Sequence, residues 1–412
     1  MPSLTDKLKD LGVQVGTSKV KSVNKKSHHP IFLSDALMGK WESTRSGDCF
    51  VVRKHFPFSY EHGSRKLSQF PEIGIFDPVS SSSGLSDIHL DDFLFIDTET
   101  TGLSGGAGTY VFLAGAAKYG KEGVDFAQFF LQDPANEPCQ LAALEEFCSS
   151  AKVIISYNGK SFDLPRIKNR YLFHGWPAPF QDVYHIDLLH IVRRLWKTQL
   201  PTCKLGDIEY HLLGIERDSQ DIPGWQVSEK FFEYLQNNDP EPLKGVFYHN
   251  EVDVISLITL LSYITDRLSS PLSKIHRDDE DLIPLGQYLH HLNRSDIAIE
   301  VLSRAISAKS LSDKSLLSGL ISLASIHKKY DDYESAIPLW EKCADMNDIQ
   351  SKVELAMYYE HKVSDYQEAI HWTLSAQSSA NRSRLLNTQY KEELEHRLKR
   401  LKGKEQKRAN KS

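Results

Sequence analysis

The sequence predicts a chain in two parts: an α/β unit at residues 91–268, a mixed five-stranded sheet with flanking helices, then an all-α helical-repeat domain at residues 280–380. Three observations predict it. Strand-length apolar runs (DFLFID, TYVFLAGAAKYG, VDFAQFFLQDP) follow one another across short turns before any helix-length pattern begins. Helix-length and strand-length segments then alternate up to residue 268. Beyond residue 280 helical spacing dominates, and three segments resemble each other.

Residues 1–90 read as irregular. TDKLKDLGVQV suits a short helix, KSVNKKSHHP a loop, CFVVRKHF a strand-like core, and SSSGLSD (81–87) a linker by composition. This region is expected to pack on the next unit rather than form its own core. DFLFID is nearly continuous in apolar residues, as a central strand buried on both faces would be. TYVFLAGAAKYG and VDFAQFFLQDP continue it as an antiparallel meander. A helix, EPCQLAALEEFCSSA, and a further apolar strand, KVIISYNG, come next. Helices follow from Asp163, at HIDLLHIVRRLW and through residues 245–265, where Val254, Leu257, Ile258 and Leu261 recur at helical spacing. Three antiparallel strands, a helix and another strand is the ribonuclease H-like order.

In the last third, SDIAIEVLSRAI, DYESAIPLWEKCA and DYQEAIHWTLSA align on Ala298, Ala336 and Ala369, with separations of 38 and 33 residues. Tetratricopeptide repeats have a period of about 34 residues. Degenerate helical hairpins produce the same signal, and in either case helix pairs stack and offer a groove to a protein partner. Residues 381–412 read as a charged helix fraying into a tail.

Composition bounds the function. The chain has 412 residues, 25% charged and 40% hydrophobic, with a formal net charge of −6. Residues 1–70 carry twelve Lys/Arg against six Asp/Glu, and residues 391–412 carry nine against four. Basic ends permit phosphate contact, although terminal charge runs are more often solvated tails. The five cysteines form no CxxC pair, which fits a reducing cytoplasm rather than a disulfide framework or a zinc site. No run approaches the roughly 20 apolar residues that cross a bilayer, so no membrane association is expected.

Four acids stand where a plain core would not place them. Asp97 and Glu99 interrupt the first strand at i and i+2 and so share one side of it. Two adjacent carboxylates repel unless a cation lies between them, and magnesium prefers such hard oxygen donors. Alone, the pair is equally a turn. Asp163, after SYNGKSF, reads alone as a helix cap. Asp253 follows His249 by four residues, so the two share a helix face, but a single His there is more often structural. As an ordered set the four read differently.

The set and its surroundings resemble the YprB-like ribonuclease H-like family of the DEDD exonuclease superfamily. The resemblance spans roughly residues 90–265 and rests on FLFIDTETTGLSGGAGTYVFLAG, ISYNGKSFDLPRI, DLLHIVRRLWKTQLPTCKLGDIEYHLLGIER, DIPGWQVSEKFFEYL and FYHNEVDVISLITLL. It implies a metal-dependent nuclease with two divalent ions, Mg²⁺ or Mn²⁺; the simplest reading is a 3′→5′ exonuclease on single-stranded DNA or RNA, with a structure-selective endonuclease as a close variant. Asp97, Glu99, Asp163 and Asp253 match the four metal-binding acids. The general base stands at His249, although relatives place tyrosine in that slot and histidine where this chain has Tyr248.

Thr100, Tyr157 and Asn158 are expected at the substrate. Arg193, Arg194 and Lys197, with Trp196, are expected on the backbone and a base, unless they are only a wet helix face. Asp187 is read as a cap. Gly105, Gly106 and Gly108 permit close substrate approach or shape a turn. Two other readings compete: an inactive nucleic-acid-binding adaptor whose repeats recruit a protein, and a hydrolase of paired carboxylates, which requires split pKa values.

Overall fold

The computed structural model describes residues 32–72, 74–76, 88–102, 108–180, 183–273, 279–382 and 388–410. The TDKLKDLGVQV helix, the KSVNKKSHHP loop, the SSSGLSD linker, Gly105 and Gly106 lie outside these residues.

In chain order the first elements are α1 (Leu33–Leu37), β1 (Lys40–Thr44), β2 (Gly47–Pro57), the small hairpin β3 (Glu61–His62) and β4 (Arg65–Lys66), β5 (Phe93–Thr100), β6 (Val111–Tyr119) and β7 (Gly123–Phe130). Then come α2 (Glu137–Cys148), β8 (Val153–Ser156), α3 (Asp163–Phe173), β9 (Tyr184–Asp187), α4 (Leu188–Trp196), α5 (Leu205–Ile208) running into a π-turn at Glu209–Leu213, α6 (Val227–Asn237) and the long α7 (Leu243–Ser269). The main sheet has the order β1-β2-β7-β6-β5-β8-β9. Neighbours from β1 to β5 are antiparallel, whereas β8 is parallel to β5 and β9 to β8.

The strand β5 is central, and its burial explains its composition. Phe93, Leu94, Phe95 and Ile96 are at most 2% exposed. Phe93 and Phe95 pack with Val254, Leu257, Ile258 and Leu261 of α7. Leu94 and Ile96 face the other way, with Leu141 and Leu144 of α2 and Ile167 and Tyr171 of α3. A strand covered by helices on both faces has no polar position until it ends.

Two expectations need correction. The sheet has seven strands, not five, because residues 40–57 add β1 and β2 to its edge. β2 pairs with β7 from Phe50↔Phe130 to Pro57↔Gly123, and Cys49 and Val51 enter the core that holds Phe129. HIDLLHIVRRLW is not one helix, since Tyr184–Asp187 pairs in parallel with β8. The side chain of Asp187 accepts from Leu189 N (3.1 Å), so the helix begins only after it.

The C-terminal third is helical: α8 (Asp279–His291), α9 (Ser295–Ile306), α10 (Asp313–Lys329), α11 (Tyr333–Asp345), α12 (Ile349–Tyr358), α13 (Tyr366–Arg382) and α14 (Thr388–Ala409). They pack as α8 on α9, α10 on α11 and α12 on α13. Ala298, Ala336 and Ala369 are fully buried, as small residues at helix contacts. One hydrophobic core continues from β5 through α7 into α8–α11. Among the described residues no helix is long and apolar enough to cross a membrane. All five cysteines are free thiols.

Candidate active site

β5 loses its cover where the chain becomes polar. Asp97 and Glu99 lie on the side that Phe93 and Phe95 present to α7, and both are half-buried. α7 brings His249, Asn250 and Asp253 to the same place. Asn250, itself fully buried, donates from Nδ2 to Asp97 Oδ2 (3.0 Å) and to the Asp97 carbonyl (3.3 Å). Gly115 is the register partner of Asp97 on β6.

Asp163 is the first residue of α3 and arrives from the other side of the strand tip. Its Oδ1 accepts from Thr98 N (3.2 Å) and from the Thr98 hydroxyl. The N-cap position is Phe162, so Asp163 is held by β5 rather than spent on its own helix. The loop before it is fixed by Asp187, which accepts from Asn158 N (2.8 Å) and Lys160 N (3.0 Å). Asn158 takes the left-handed conformation (φ 66°) that Asn tolerates, as a turn residue does. Asp187 is both a cap and a clamp.

Electrostatics tie the four acids together. Burial pushes the Asp97 carboxyl well above the usual range, and the charges of Asp253, Asp163 and Glu99 push it further. Glu99 rises to about 7, through burial and through Asp253 and Asp163, partly offset by His249 and Arg217. Burial raises Asp163 to about 6 against the hydrogen bonds from Thr98. Burial disfavours the His249 imidazolium, yet Asp253, Glu99 and the bond to Asp221 outweigh it, and His249 lies above its ordinary value.

His249 faces the acids, with Nε2 3.7 Å from Asp253 Oδ2 and Nδ1 2.7 Å from Asp221 Oδ1. Tyr248 turns instead into a neighbouring cleft with Tyr60, His62 and Glu216, and its hydroxyl accepts from Asp218 N (3.4 Å).

The expected substrate residues divide. Thr100 sits at an irregularity in the β5–β6 register, its hydroxyl donating to Gly102 O (3.1 Å). The Tyr157 hydroxyl donates to Cys203 O (2.7 Å). Arg193 of α4 and Lys197, just past its end, are exposed. The Arg194 guanidinium lies over the Tyr288 ring of α8 (5.7 Å), toward the helical region. Trp196 is only 3% exposed and packs on Tyr263, so it is a core residue and not a base-stacking one. A strong amphipathic pattern puts the tryptophan of RRLW on the buried stripe and the two arginines outside it.

Arg217, Asp221 and Glu209 lie in stretches that carry the family resemblance, but nothing in their spacing assigns them to the site. Arg217 leaves a loop, where no periodicity marks it, yet its Nε and Nη2 bind Glu209 (2.6 and 2.8 Å), and Nη2 also donates to Asp253 Oδ1. Asn250 could have been noticed as a polar residue three before Asp253 on an apolar face.

The donor set fits a hard divalent cation. It consists of carboxylate oxygens whose mutual repulsion such a cation would relieve. Protein donors take one oxygen each of Asp97, Asp163 and Asp253. Among the described residues, however, no three His, Cys, Asp or Glu side chains are drawn into a finished metal cage.

Comparison with known proteins agrees with this architecture. Residues 94–265 match the model of the RNase_H superfamily, so the α/β unit is a ribonuclease H-like domain. Over 416 aligned residues the chain is 31% identical to the uncharacterized protein YprB of Bacillus subtilis (strain 168), covering 96% of this chain and 97% of that protein. The chain belongs to the YprB family, with an RNase_H superfamily domain and a helical C-terminal region.

Proposed function

We propose that this protein is a metal-dependent nuclease that hydrolyses phosphodiester bonds, most simply a 3′→5′ exonuclease on single-stranded DNA or RNA. The observation that supports the reading best is the meeting of Asp97 and Glu99, at the end of the central strand, with Asp253 and His249 of α7 and Asp163 of α3. A structural core has no use for four mutually repelling carboxylates at one strand end.

Asp97, Glu99, Asp163 and Asp253 would hold two divalent ions, Mg²⁺ or Mn²⁺, which when bound supply water activation and stabilise the leaving oxygen. The chain's own residues prepare the rest. Asn250 fixes the Asp97 carboxylate and Thr98 fixes that of Asp163. His249 directs Nε2 toward the acids while Asp221 holds Nδ1, so Nε2 is the atom that takes the proton of the attacking water. The relation repeats the base-and-orienting-carboxylate logic of other hydrolytic sites.

Purified protein incubated with Mn²⁺ and end-labelled single-stranded DNA and RNA tests the reading. A product ladder shortening from the 3′ end, absent with Asp97→Asn, is expected. Equal cutting by Asp97→Asn and the parent would sink the assignment. Binding of both strands without cleavage would favour an adaptor.

A further inference from the structure

Arg217 sits inside the acidic site although no metal ligand needs it there by sequence. Its side chain is 14% exposed, and the Glu209 carboxylate that grips it is fully buried. The guanidinium has a neighbour at every nitrogen. Nε and Nη2 form a fork on Glu209 (2.6 and 2.8 Å), Nη2 reaches Asp253 Oδ1, and Nη1 lies 3.0 Å from His249 Nδ1 and 3.5 Å from Asp221 Oδ1. With the fork on Glu209 and Nη2 also on Asp253, only Nη1, beside the Asp221–His249 pair, keeps a donor for an incoming phosphate. A clamp that only fixed its own loop would need the Glu209 fork and nothing beyond it. Nη2 instead reaches Asp253, and Nη1 lies against Asp221, the carboxylate that holds the His249 ring, so both groups end on partners of the site that faces Asp97 and Glu99.

We propose that Arg217 is a positioning residue. Anchored by Glu209, it holds the Asp253 carboxylate and, through Asp221, the His249 ring in register with Asp97 and Glu99. The planar fork is required, because a lysine ammonium on a flexible stem cannot bind Glu209 bidentately and span Asp253 and Asp221 as well. The proposal rests on the nuclease reading for its catalytic consequence, but its geometric content can be read without turnover.

The test uses the full-length protein with Arg217→Met, Arg217→Lys, Arg217→Ala and, as a gentler variant, Glu209→Gln. Three quantities are read: kcat and KM on end-labelled single-stranded DNA with Mn²⁺, the Mn²⁺ concentration that half-saturates thermal stabilisation, and the ¹⁵N shifts of the His249 ring. Arg217→Met is expected to lower kcat by about tenfold or more, with KM little changed, and to raise the half-saturating Mn²⁺ by a similar factor. Lysine should not restore either. Added guanidinium should restore part of kcat to Arg217→Ala, and Glu209→Gln should fall between parent and Arg217→Met. In Arg217→Met the His249 ring nitrogens should shift even without metal. Parental kcat, half-saturating Mn²⁺ and ring shifts in Arg217→Met would overturn the proposal, as would a lowered melting temperature with those three unchanged. If the parent itself neither cleaves nor responds to Mn²⁺, the nuclease reading fails. The ring shifts then decide the clamp alone, and unchanged shifts refute it.

Discussion

The side chain of Asn250 fills the space that a Cβ on Gly115 would need. Gly115 stands opposite Asp97 in the β5–β6 register, and the room it leaves lets Asn250 reach that carboxylate. Asn250 in turn accepts from Gln128 Nε2 (2.9 Å), so it has one lodged orientation. Gly115→Ala should push Asn250 off Asp97 and cost about 1–3 kcal/mol by overpacking. Urea unfolding, together with cleavage assays, reads both effects. Parental stability and turnover in the variant would refute this account.

The clamp made by Asp187 leads to a second prediction. Its carboxylate takes three backbone N–H groups, of Asn158, Lys160 and Leu189, and it is 3% exposed. Asp187→Ala leaves those donors unpaired next to the residue that starts α3, Asp163. A loss of about 2–3 kcal/mol is expected from breaking charge-assisted bonds, and turnover should fall as Asp163 loses its place. A variant that loses stability but keeps full turnover would show that the loop does not position Asp163.

Trp225 is 74% exposed, and the place a Cβ would take on the preceding Gly224 is 4.0 Å from His249 Nε2. A large ring standing in water supports no core, so Trp225→Ala should change stability by no more than about 0.5 kcal/mol. If the ring stacks on an unpaired base, the same variant weakens single-stranded oligonucleotide binding by about 1–3 kcal/mol. Titration of an oligonucleotide into Asp97→Asn, with and without Trp225→Ala, isolates binding from cleavage. Equal affinities would remove Trp225 from the substrate path.

These residues show how far the sequence could be read. The strand acids and Asp253 are legible because each breaks an apolar pattern: an unbroken run in β5 and a period of about 3.6 in α7. The helical third was visible through its repeated Ala-Ile pairs. β1 and β9 were not, because each is short and half-covered, and β9 runs straight into a helix with the same apolar residues. Arg217 and Asp221 were out of reach for a different reason. They lie in a loop, and only folding brings them to His249. The position of Trp196 follows from the helical period rather than from composition, since α4 places it on the apolar stripe beside Val192 and Leu195.

The raised carboxyl of Glu99 makes a sign-specific prediction. In metal-free protein its folded pKa is about 7 against an ordinary value of 4.5. Between those values the native state holds more protons than the unfolded one, so stability falls as pH rises through the window. Glu99→Gln removes that charge. Chelator-treated Glu99→Gln should therefore be more stable than the parent at pH 8, by about 1–3 kcal/mol. The advantage should vanish below pH 4.5, where both carry a neutral side chain. Thermal melts of the two proteins at each pH check this, and equal melting temperatures at pH 8 would show that Glu99 is not strained by its neighbours.

Glu360 governs the far end of the chain. Its carboxylate is fully buried in the π-turn Tyr359–Val363, where it gathers Arg397 (3.2 Å), Arg400 (2.7 Å) and Lys404 (2.7 Å) from α14. Burial alone would raise its pKa, but Lys404, Arg400 and His361 outweigh burial and hold it below the ordinary 4.5. Its contribution is thus in place above pH 4.5 and is lost as the pH falls through the depressed value. Removing the acid leaves Arg397, 19% exposed, without that partner, but the side chains of Arg400 and Lys404 are 43% and 39% exposed and can rehydrate. Glu360→Ala should accordingly cost about 1–3 kcal/mol, less than breaking a fully buried pair. It should loosen α14 from the π-turn while leaving the ribonuclease H-like domain intact. Limited proteolysis checks this: early cleavage within residues 388–410 of the variant, at neutral pH, is the expected result. A parental cleavage pattern would mean that apolar packing of Leu394 and Leu401, both at most 3% exposed, holds the helix without the ion cluster.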